Sequence, residues 1–255
     1  MILWLNGALL PEDTARIHPA DRGLLLGDGL FETMAATGGE VPQIMRHHAR
    51  LAAGAALLRI PLPLTATALA AACRDLLGAN GLAEAALRLT LTRGPGPRGL
   101  APDPQASPTL LLTAAPLPPP GAPPRLVISG IRRDEDSPLA AVKSLNYLPN
   151  VLARMEAAER GADDALLLNR AGRVAEASAA NLFVRLSGEW LTPPVAEGAL
   201  PGIRRACLLE AGRLREAAIT PAQLRLAQAA CLGNALALRP VAAIEGHVLP
   251  EMATP

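Results

Sequence analysis

The chain has 255 residues, 24 basic side chains against 23 acidic ones, and a formal net charge of +1. So even a balance, with only two Phe, two Trp and one Tyr, gives neither the basic face nor the stacking platform of a nucleic-acid binder. Half of the residues are apolar, but proline breaks the long uncharged stretches, so none reads as a membrane span.

One count stands out. Of the 24 basic side chains, 23 are arginine and one is lysine, Lys143. Arginine replaces lysine wherever only a solvated charge is needed. It cannot replace an amine nucleophile, because a guanidinium stays protonated and forms no Schiff base. The retained lysine therefore points to chemistry.

In chain order, the first half opens on a short apolar run and Asn6-Gly7, a hairpin signal. Gly29 to Ala36 reads as helical and Glu40 to Met45 as extended. His47 to Leu58 and Thr65 to Leu77 are Ala/Leu-rich helices, and Leu87 to Thr92 alternates like a strand, as does Thr109 to Thr113. Pro116 to Pro124 holds six prolines in nine residues and reads as a stiff connector. It divides the chain into expected domains at 1–115 and 125–255.

The second half begins with a strand at Arg125 to Ser129. Asn146 to Arg160 reads as a helix, with its start nearer Leu148 if Pro149 is to lie in the first turn. Ala165 to Leu168 and Arg173 to Ala177 flank Asn169-Arg170-Ala171-Gly172 as a hairpin. Asn181 to Arg185 is a strand and Gly202 to Ala211 a helix. Mixed elements in two blocks give an α+β class. Cys73, Cys207 and Cys231 lack metal spacing and read as buried, reduced thiols of a cytoplasmic protein. The N-terminal residues show no basic stretch leading into an apolar core, so no secretory signal is expected.

Three segments carry chemistry. Lys143 lies in Ala141-Val142-Lys143-Ser144-Leu145-Asn146, and apolar neighbours disfavour its ammonium form. A lysine snorkelling at a helix start is the alternative. Glu176 is a lone carboxylate among small and apolar residues. Buried, it needs a partner, for which a protonated pyridine nitrogen would serve; on an edge strand it is simply solvated. Gly198 to Arg205 places glycine and proline ahead of a helix, leaving backbone N–H groups for a phosphate. Arg50 could add a fork of donors, whereas His47 reads as a satisfied core histidine. A nucleophilic amine, a carboxylate and a phosphate cradle together match the demands of pyridoxal 5′-phosphate.

The chain resembles the class IV aminotransferases, the fold-type IV pyridoxal-phosphate enzymes. The likeness rests on Asp21-Arg22-Gly23, Gly27 to Glu32, His47 to Leu51, Lys143 to Asn146, Glu176 with Asn181-Leu182-Phe183, and Gly202-Ile203. It implies two α/β domains with the cofactor between them, in a homodimer whose partner loop reaches the site. It also implies that Lys143 forms the Schiff base and shuttles the Cα proton, and that Glu176 pairs with the ring nitrogen. Arg50 would hold the phosphate with amides of Ile203, Arg204, Asn234 and Ala235. The substrate is then a small amino compound.

Within that family, D-amino acid aminotransferases usually have Tyr at the position of Phe31 and an Arg and a His as carboxylate trap. Arg98 matches the Arg, but Leu100 stands in place of the His. Phe31-Glu32-Thr33 and Thr92 to Gly99 are more similar to 4-amino-4-deoxychorismate lyase, in which a Thr at the position of Thr33 has been proposed to assist pyruvate elimination. A helix-face hydroxyl is the bland alternative for Thr33. The reading leans to the lyase, with a transaminase as alternative and a non-catalytic scaffold as a remote one.

Overall fold

The computed structural model describes all 255 residues. The chain divides into two compact units, residues 1–119 with 143–146 and residues 120–142 with 147–255. In the first unit the strands are β1 (Ile2–Leu5), β2 (Ala8–Pro11), β3 (Gly29–Ala36), β4 (Ala85–Thr92) and β5 (Thr109–Pro116). They form one antiparallel sheet in the order β2-β1-β5-β4-β3. Its helices are the short α1 (Arg22–Leu26), α2 (Ile44–Leu58) and α3 (Ala66–Asn80). Thr65 caps α3 by accepting the Ala68 N–H, and Gly81 ends it in the left-handed region. On β4, Leu87, Leu89 and Leu91 are buried while Arg88 is exposed, the period-2 pattern of a half-buried strand.

The structure corrects two local expectations. Gly29–Ala36 is strand β3, paired along its length with β4. Its Ala, Met, Leu and Glu favour a helix intrinsically, but pairing in a mostly buried strand overrides propensity and removes the polar alternation that marks a strand. Thr33 is accordingly a strand residue, not one on a helix face. The second correction concerns Glu40 to Met45, which is not extended. A turn through Gly38 and Gly39 leads to Val41-Pro42, and α2 begins at Ile44.

The second unit holds β6 (Arg125–Arg133), α4 (Leu148–Glu159), β7 (Asp164–Asn169), β8 (Val174–Ala177), β9 (Asn181–Leu186) and β10 (Glu189–Thr192). After a single 3-10 turn come α5 (Ile203–Glu210), β11 (Arg215–Glu216), α6 (Pro221–Leu224), β12 (Ala229–Gly233), β13 (Leu238–Pro240), β14 (Ala243–Ile244) and β15 (His247–Val248). Two five-stranded sheets result, β15-β14-β6-β7-β8 and β11-β10-β9-β12-β13. Leu166, Leu168 and Val174 of the first pack with Leu182, Val184 and Leu232 of the second in one core. Helix α4 lays Ala153 and Ala157 on Val127, Ala165 and Leu167.

The three cysteines are free. Cys73 and Cys231 are buried, and burial pushes both thiols up to about 12, while Cys207 is only half-buried. No helix is long and apolar enough to cross a membrane, and no His/Cys/Asp/Glu cluster could hold a metal.

Candidate active site

Lys143 is placed by backbone pairing. Residues 143–146 run along β3: the Phe31 N–H donates to the Lys143 carbonyl at 2.9 Å and the Leu145 N–H to the Gly29 carbonyl at 2.9 Å. Gly29 makes this approach possible. A Cβ there would lie 2.5 Å from the Leu91 carbonyl oxygen and 2.8 Å from Leu145 Cδ1. Successive side chains of a strand alternate between faces, so Phe31 and Thr33 share one face of β3, and Glu32 points to the other.

On the first face the Lys143 Nζ sits 4.2 Å from the centre of the Phe31 ring, and the Arg88 guanidinium lies 3.9 Å from the same ring. Arg88 is also the cross-strand partner of Thr33. Amine, guanidinium, phenyl ring and hydroxyl therefore gather on one patch of one sheet. The sequence reading missed Arg88, since one arginine among 23 carries no compositional signal.

On the opposite face, Glu32 reaches α2. It is 1% exposed, lies 2.7 Å from His47 Nδ1, and accepts from Arg50 Nε at 2.8 Å and Nη2 at 2.6 Å. Burial pushes the Glu32 carboxyl up, but hydrogen bonds from His47 and Arg50 outweigh it and hold the group below the usual carboxylate range. His47 is a buried partner, as its sequence context suggested. The Nε–Nη2 edge of Arg50 is committed to Glu32, so anything Arg50 gives a phosphate comes from its other N–H groups. Beneath the Gly27-Asp28-Gly29 turn, Asp28 accepts from Arg22 at 2.8 Å and from Arg93 at 2.8 and 3.0 Å. Arg98 stands apart, exposed in the loop after β4 with no hydrogen bond or ion pair.

In the second unit Glu176 lies on β8 and is 4% exposed. It accepts the Leu200 N–H at 3.0 Å and faces Arg133 Nη2 at 3.3 Å. The buried carboxylate thus has partners of its own, Arg133 among them, which the sequence reading did not single out. Gly202 precedes α5 and offers no side chain to cap it, so the amides of Ile203 and Arg204 have no intrahelical acceptor. A Cβ on Gly202 would sit 2.0 Å from Asn181 Oδ1. Asn181 in turn donates to the Leu200 carbonyl at 2.9 Å.

The Asn234 N–H is taken by the Ala237 carbonyl at 3.0 Å, closing a turn in which Asn234 Oδ1 accepts from Leu236 and Ala237. The Ala235 N–H takes no part in that turn.

The first unit thus carries the single lysine amine, and the second, taken by itself, a buried carboxylate and an uncapped helix start behind a required glycine. Comparison with known proteins gives the family. The amino-transferase class IV family model matches residues 29–244. The chain belongs to the class IV aminotransferase family. It is accordingly a pyridoxal 5′-phosphate-dependent enzyme, in a family of transaminases and lyases.

Among its relatives, a putative branched-chain-amino-acid aminotransferase of Methanocaldococcus jannaschii is 36% identical, over 98% of this chain and 90% of its own. The 4-amino-4-deoxychorismate lyase of Pseudomonas aeruginosa is 34% identical and superimposes with a TM-score of 0.86, over 99% of this chain and 94% of that one. The branched-chain amino acid aminotransferase of Escherichia coli is 26% identical with a TM-score of 0.92, over 100% of this chain and 90% of that one.

Proposed function

We propose that this family member acts on an anionic amino substrate and, of the family's reactions, eliminates pyruvate from 4-amino-4-deoxychorismate to give 4-aminobenzoate. The observation that carries this reading is the patch on β3. The Lys143 amine and the Arg88 guanidinium lie on one Phe31 ring, with the Thr33 hydroxyl across from Arg88. A substrate amine brought to Lys143 would have its carboxylate met by Arg88, an always-charged fork suited to carboxylates.

Residue roles follow from this chemistry. Lys143 would hold the cofactor aldehyde through its amine, and the same amine would serve as the base for the Cα proton. Glu176 would pair with the ring nitrogen, its carboxylate oriented by Arg133 and the Leu200 amide. The amides of Ile203, Arg204 and Ala235 would bind phosphate, and Arg50 would contribute outside its Glu32-bound edge. Thr33 supplies a hydroxyl where a leaving oxygen needs a proton. When bound, the cofactor supplies an aldehyde for amine exchange and a ring that accepts the electron pair left at Cα.

A transaminase is the second reading, favoured by the 36% identity to the M. jannaschii protein. Product analysis separates the two. Pyruvate and 4-aminobenzoate from aminodeoxychorismate, in equal amounts, are expected. Pyridoxamine phosphate accumulating with an amino donor alone, and no 4-aminobenzoate, would contradict the lyase reading.

A second copy of the chain is the proposed partner. Helix α4 leaves Leu148, Val151, Leu152 and Met155 exposed along one side, and α1 leaves Leu24 and Leu25 exposed. The exposed Arg98 loop is available to that copy. A monomer in sedimentation at micromolar concentration would contradict this assignment.

A further inference from the structure

We propose that the Arg204 side chain is a positioning residue for the phosphate end of the cofactor, beyond the amide its backbone contributes; this rests on the cofactor roles proposed above. Arg204 occupies the first turn of α5, at the uncapped helix start. From there its guanidinium crosses to the loop after β12, donating from Nε to the Asn234 carbonyl at 2.6 Å and from Nη2 to the Ala235 carbonyl at 3.1 Å. One side chain thereby ties together the two segments whose amides are assigned to phosphate.

The geometry of the peptide gives this tie a consequence. The unit joining Asn234 to Ala235 is planar and trans, so its carbonyl and its N–H point in opposite directions. Anchoring the Asn234 carbonyl on Arg204 therefore fixes the direction of the Ala235 N–H, the amide that the local turn leaves over. The rest of the loop is held by Asn234, whose side chain accepts from Leu236 and Ala237 and donates to the Ala179 carbonyl at 3.3 Å. From the helix side, it is Arg204 that holds the 234–235 plane. The guanidinium also brings a permanent positive charge to the amides that meet a dianion. Lysine cannot replace it fully: an ammonium restores the charge but not a planar fork spanning two carbonyls.

The test compares wild type, Arg204→Gln and Arg204→Lys as apoproteins, titrated with pyridoxal phosphate, with pyridoxal and with inorganic phosphate. Loss of a charged two-bond clip should weaken pyridoxal phosphate binding in Arg204→Gln by about tenfold or more. The rise in melting temperature given by inorganic phosphate should shrink in parallel, while pyridoxal, which has no phosphate, binds as in wild type. Arg204→Lys should recover only part of the loss, and that part should vanish at high salt.

Equal affinity of wild type and Arg204→Gln for pyridoxal phosphate would overturn the proposal, as would an equal loss for pyridoxal and its phosphate. Should Arg204→Gln prove unfolded as apoprotein, Arg204→Lys carries the test on its own, and wild-type affinity in that variant would overturn the forked clip. A wild-type protein that binds neither pyridoxal phosphate nor phosphate would overturn the cofactor roles themselves.

Discussion

Lys143→Ala is expected to lower turnover by at least roughly 10²–10⁴-fold, the range of a positioned acid–base group, with the loss of the cofactor bond added to it. The fold should be spared. The segment is held on β3 through the Lys143 carbonyl and the Leu145 N–H, neither of which the substitution removes. The lost cation–π contact with Phe31 is worth only about 0.5–1 kcal/mol. Lys143→Arg sharpens the test, because it keeps a cation near the ring and removes the nucleophile. Both variants should be inactive and nearly as stable as wild type, by steady-state assay and thermal melting. A variant retaining a tenth of wild-type turnover would exclude Lys143 from the chemistry.

The largest effect on stability is expected at Glu32. In Glu32→Gln the buried position loses its charge while Arg50, whose side chain is 13% exposed, keeps its own. Removing one member of a buried ion pair costs about 3–5 kcal/mol, or roughly 10 °C in Tm for a chain of this size. Cofactor affinity should fall too, because Glu32 fixes the Arg50 guanidinium through two hydrogen bonds.

The pH dependence follows from the depressed carboxyl of Glu32. A group whose folded pKa lies below its unfolded value contributes stability in full above the unfolded value, about 4.3 for glutamate, and loses it as pH falls through the folded value. The gap in Tm between wild type and Glu32→Gln should therefore be widest near neutrality and close below about pH 4. A gap unchanged between pH 7 and pH 3 would contradict this account.

The residues explain which parts of the molecule were legible from sequence. Leu87 to Thr92 declared a strand because Leu and polar residues alternate across one buried and one open face. Gly29–Ala36 did not, since most of it is buried and its composition favours a helix. Lys143 was visible in composition alone, as the single lysine, and Gly202 as a glycine ahead of a helix. The Glu32–His47–Arg50 cluster was not, because it joins a strand to a helix 15 and 18 residues away and needs the fold to assemble it. Arg88 and Arg133 were hidden by the same arginine-rich composition that exposed the lysine. The bond from the Asn234 amide to the Ala237 carbonyl closes a turn that no local signal in the sequence announces. Strand order within the three sheets is likewise a property of long-range pairing, which local pattern does not encode.

The most direct measurement of the central claim is borohydride reduction of the cofactor-loaded protein followed by peptide mass mapping. The chain offers one lysine amine and one α-amino group, so the outcome is easily read. A phosphopyridoxyl adduct on the peptide containing Lys143 is the expected result. An unmodified Lys143 in a fully loaded sample would contradict its assignment as the residue that binds the cofactor.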